Sequence, residues 1–65
     1  MPTPDKLKEA FEAWRRAVDE HVDMMRSVTA GQPFDAEAMT QKVGEIDTLH
    51  ATWMDMVMQR DEAAG

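Results

Sequence analysis

A chain of 65 residues has room for one domain, and a unit this small buries only ~60% of its unfolded surface, so it needs a disulfide, a metal or another chain for support. The absence of cysteine excludes disulfides and thiolate-bound zinc, and leaves a partner chain as the simplest support. A net charge of -6 disfavours nucleic acid and anionic membrane surfaces, and no apolar run approaches the ~20 residues that a spanning helix needs.

The N-terminal stretch lacks the apolar centre of a secretory signal, so a cytoplasmic location is expected. Charge is uneven. Residues 1–30 carry five basic and six acidic side chains, whereas residues 31–65 carry two basic (Lys42, Arg60) and seven acidic.

The first element has clear start and stop signals. Thr3 can cap a helix N-terminus through its hydroxyl, Pro4 suits the first helical position, and Asp5 complements the positive end of the dipole. Gly31 can take the left-handed conformation that closes a helix, and Pro33 prevents continuation. These signals predict a helix over 4–30 and a turn over 31–35. Asp35 then reads as the N-cap of a second helix over 36–61, with Phe34 and Met39 at the spacing of a hydrophobic staple.

Periodicity supports both helices. Leu7, Phe11, Trp14, Val18, His21, Met25 and Val28 alternate four and three residues apart, and Ala36, Met39, Val43, Ile46, His50, Trp53 and Val57 do the same. Folding back about residue 32 puts the two rows in one register, with layers such as Trp14–His50 and Phe11–Trp53. The expected fold is therefore all-α, one antiparallel two-helix hairpin spanning residues 1–65.

Two helices hide only the seam between them, and the apolar stripe is wider than one seam. Ala10, Ala17 and Met24 flank it on the first helix, Leu49 and Met56 on the second, with Val22 and Met54 widening the other side. Two hairpins could cover each other as a four-helix bundle, most simply a twofold dimer, with Ala10, Trp14, Ala17, Met24, Leu49, Trp53, Met54 and Met56 at the interface. The layout is similar to that of small plasmid copy-control hairpin proteins that dimerise into four-helix bundles. The weak basic face here does not match their RNA-binding role.

Other chemistries are thinly represented. His21 and His50 stand on the seam and are the candidate metal ligands, but inward carboxylates to complete a site are missing and about two turns separate the two rings. Buried neutral histidines would also make an assembly loosen on acidification. Seven methionines, including Met54, Met56 and Met58, suit adaptable packing better than a soft-metal site. The one serine, Ser27, has no catalytic partners in this register, and glycine-rich phosphate loops are absent.

The expectation is a non-enzymatic interaction or structural module without a cofactor, acting as a homo-oligomeric, simplest dimeric, helical bundle. An adaptor or chaperone holding an amphipathic helix of another protein on its Met-rich face is the alternative. A His/Met metal carrier comes third.

Overall fold

In a computed structural model, residues 3–64 are described, with side chains as far as Arg60; Met1, Pro2 and Gly65 lie outside the described residues. Two helices, α1 (Pro4–Thr29) and α2 (Ala36–Ala64), run antiparallel and pack against each other. The expected bounds hold at the starts. α1 ends one residue earlier than expected, and α2 continues three residues past 61 because nothing there breaks it.

Each signal in the sequence acts through a specific bond. The Thr3 hydroxyl accepts from the Lys6 amide at 3.2 Å, and the Thr3 carbonyl accepts from the Leu7 amide at 3.0 Å. At the far end Gly31 adopts φ +104°, its amide donates to the Val28 carbonyl at 3.0 Å, and the Gln32 amide donates to the Ser27 carbonyl at 3.0 Å. This paired closure satisfies two carbonyls that a helix end leaves without partners. The Asp35 carboxylate accepts from the Ala38 amide at 3.0 Å, as an N-cap does. Phe34, one half of the expected staple, stays 61% exposed and contributes little buried area.

The hairpin is a slender rod, 50 × 17 × 13 Å between Cα atoms. Its radius of gyration is 15.1 Å, against about 10.7 Å for a compact domain of this length. Among the described residues only Ala17, at 2% exposure, is fully buried.

The fold-back register is as the periodicity requires: Trp14 meets His50 with ring centroids 6.4 Å apart. The rotation of the helices about their axes is so only in part: Leu7, Trp14, Val18, His21, Val28, Met39, Ile46, Trp53 and Val57 are half-buried as expected, but the seam is turned toward Ala10 and Ala17. Phe11, Met25, Val43 and His50, expected on the seam, are exposed, and so is Ala36. The buried line instead runs through Ala17 and the half-buried Ala10, Trp14, His21 and Met24 on α1, and through Met39, Ile46, Leu49, Trp53 and Met56 on α2. The expected flank has thus become half of the hairpin's own seam. The physical reason is size. The small Ala10 and Ala17 side chains let the helices approach closely along that line, while Phe11 and Met25 are too bulky for a seam closed by only two helices.

Candidate functional site

The rotation sorts the remaining surface by sequence position. Residues 10, 17 and 24 on α1 and 42, 49 and 56 on α2 face the partner helix. A helix turns about 100° per residue, so each next residue lies to one side of the seam and each preceding residue to the other. In an antiparallel pair a rotation of the same sense on both helices leads to the same side of the hairpin. One side therefore carries Phe11, Val18 and Met25 with Val43, His50 and Val57. The other carries Glu9, Arg16 and Asp23 with Gln41, Thr48 and Asp55. The hairpin is amphipathic as a whole, with one apolar and one polar face.

An ionic cluster organises the polar side. Lys42 occupies a seam position, its side chain only 16% exposed, and its ammonium leaves the groove on that side. It donates to Glu20 of α1 at 2.5 Å and to Glu45 of its own helix at 3.2 Å. Its aliphatic stem covers apolar surface while the charge reaches water. The bond from Lys42 holds the Glu20 carboxyl below its ordinary value of 4.5, helped by the ammonium's charge. The same bond, then that to Glu45, raises Lys42 above 10.5. Nearby hydroxyls are satisfied within α2: Thr48 donates to the Gly44 carbonyl and Thr52 to the Thr48 carbonyl, each at 3.0 Å. The sequence reading missed this cluster. Its one signal was a lone lysine seven residues before Leu49, in the row that ends at Met56.

The apolar side holds an aromatic recess. Phe11, Trp14, His50 and Trp53 border an open hollow of about 220 Å³. Phe11 and Trp14 are tilted at 41° with centroids 5.9 Å apart, and Trp14 and His50 at 50°, within the range in which such rings attract. Around the recess Phe11 is 46% exposed, Met25 43%, Val43 41% and Met54 37%. Charged rims flank this face only at its outer edges, where Arg15 pairs with Asp19 at 3.3 Å and Lys8 with Glu12 at 4.0 Å.

The expected interface residues are divided by this geometry. Met54 lies exposed beside the apolar face, and Trp14 and Trp53 border the recess. Ala17 is closed off inside the hairpin and offers nothing to a second chain, while Ala10, Met24, Leu49 and Met56 are half-buried along the seam. Phe11, Met25 and Val43 were not among the expected site residues, having been assigned to the inside, and His50, also assigned there, was expected only as a candidate metal ligand.

The two histidines do not converge. His50 lies against Trp14, seven residues or about 10 Å of helical rise from His21. His21 is half-buried and His50 exposed, so the hairpin alone encloses neither ring fully. Among the described residues no three histidine, aspartate or glutamate side chains gather where they could hold a metal ion. Nor is any described helix long and apolar enough to cross a membrane.

The exposed area puts a scale on the unfinished packing. The chain presents 4940 Å² to solvent, where a compact protein of its mass presents about 4,200 Å², an excess of about 700 Å². A standard interface removes about 800 Å² from each partner. No protein-family model, curated protein or solved structure matches the chain.

Proposed function

We propose that this protein is a non-enzymatic interaction module that works as a homodimeric helical bundle. The observation that carries the reading is the apolar face. One side of the rod lines up Phe11, Met25 and Val43 in the open while the other carries Glu9, Arg16, Asp23, Gln41, Thr48 and Asp55, and among the described residues only Ala17 is fully buried. A lone hairpin of this kind leaves Phe11, Met25 and Val43 partly in water and forfeits ~25 cal/mol for each Å² of apolar surface so exposed. The excess of about 700 Å² in total surface is close to what one partner contributes to a standard interface, which is the scale of pairing with one further copy. Monomers seldom leave a large contiguous apolar face uncovered.

Sedimentation equilibrium from micromolar concentrations downward tests the reading. A species of twice the 7.4 kDa chain mass, losing helicity as it dissociates, is the expected result. A stably helical single chain at low micromolar concentration overturns it and returns the face to the adaptor reading, in which it holds a helix of another protein.

A further inference from the structure

Two face-to-face arrangements bring the apolar sides of two hairpins together with twofold symmetry, and they differ in which helices become neighbours. With the axis perpendicular to the helices, α1 lies over α1 and α2 over α2, and the turns are at opposite ends. With the axis parallel to the helices, α1 of each copy lies over α2 of the other, and both turns are at the same end. The antiparallel sense of adjacent helices is kept either way.

Charge separates the two. α1 carries five basic and six acidic residues, a net of -1, and α2 carries two basic and six acidic, a net of -4. The perpendicular axis stacks the two acidic helices directly. The parallel axis moves them to a diagonal, from about 10 Å to about 14 Å apart, which cuts a repulsion screened over ~8 Å to about half. The margins agree. Arg15 lies four residues after Phe11 at the outer edge of α1, and Asp47 lies four after Val43 at the outer edge of α2 with no ion pair inside the hairpin. In the fold-back register Arg15 is level with residue 49 of its own chain. Under the parallel axis it therefore comes within about 3 Å, measured along the axis, of the partner's Asp47.

Resting on the homodimer reading, we propose that two hairpins join through the faces of Phe11, Met25, Val43 and His50 with the twofold axis parallel to the helices, each α1 over the other copy's α2. The aromatic recess of each copy then closes against the second hairpin, and the clusters of Glu20, Lys42 and Glu45 point outward on both sides.

The absence of native cysteine permits a direct test. Gln32→Cys in the exposed turn, carrying a nitroxide label, gives one spin per chain for distance measurement by pulsed electron resonance. A single distance below about 25 Å is expected, since both turns share one end. A distance of about 40 Å or more, the length of one helix, overturns the arrangement while leaving the homodimer intact. A chain of monomer mass with no spin–spin distance overturns the homodimer reading beneath it. The face is tested separately. Phe11→Asp, at a position outside the hairpin's own seam, should raise the dimer dissociation constant by at least about tenfold, and Thr48→Asp on the polar face by less than about twofold. Equal effects of the two substitutions would show that the wrong side has been assigned.

Discussion

Ala17→Leu is the most direct probe of how the helices are rotated. Ala17 is 2% exposed, the one fully buried residue among those described. Leucine adds three carbon atoms where no space remains, so either its rotamer is forced or the helices move apart. Overpacking of this sort typically costs about 1–3 kcal/mol. For a domain of this size each kcal/mol lowers the melting temperature by about 4–8 °C, so a fall of at least about 4 °C is expected. Circular dichroism melts at one fixed chain concentration measure it, because stability of an associating chain depends on concentration. Ala51→Leu, on an exposed position of α2, is the control and should stay within about 0.5 kcal/mol of the parent. The alternative rotation, with Phe11, Val18 and Met25 all inside, puts residue 17 on an outer flank where added apolar area is harmless or helpful. A melting temperature unchanged or raised by Ala17→Leu would refute the seam described here.

The Glu20–Lys42 bond makes a signed prediction for pH. Glu20 is lowered from 4.5 on folding, so its contribution is present above that value and fades as pH falls through the folded value; Lys42 is raised from 10.5, so its part is present below 10.5 and fades only above it. The difference in melting temperature between parent and Glu20→Gln should hence be constant over about pH 6–9 and shrink below about pH 4, and a difference that persists in acid would rule out the bond as its source. Gly31→Ala should destabilise by about 1–2 kcal/mol in denaturant titration, because the φ of +104° that closes α1 disfavours a side chain although space is free around it. Gly44→Ala should stabilise by about 0.5–1 kcal/mol in the same assay, since a Cβ there meets nothing within 4 Å and helix entropy favours alanine.

Much of the architecture was legible in the residues. Thr3, Gly31 and Asp35 act locally, through bonds to amides and carbonyls within five residues, so their effect does not depend on what lies across the seam. The register was legible too: a short turn about residue 32 leaves the helices little freedom to slide, and Trp14 therefore meets His50. The candidate site was legible only as a stripe too wide for one seam. Which half of it faced inward could not be read from spacing, because rows starting at Leu7 or Phe11 and rows starting at Ala10 are both periodic.

The sequence by itself determined two amphipathic helices, the turn that reverses the chain and an excess of apolar surface, since caps, glycine geometry and helical period are properties of neighbouring residues. Only the tertiary structure decided that Ala17 is innermost, that Lys42 bridges to Glu20, and that Phe11, Met25, Val43 and His50 share one open face. Rotation about a helix axis is set by how closely two particular surfaces can approach, and that distance depends on side chains from both helices at once.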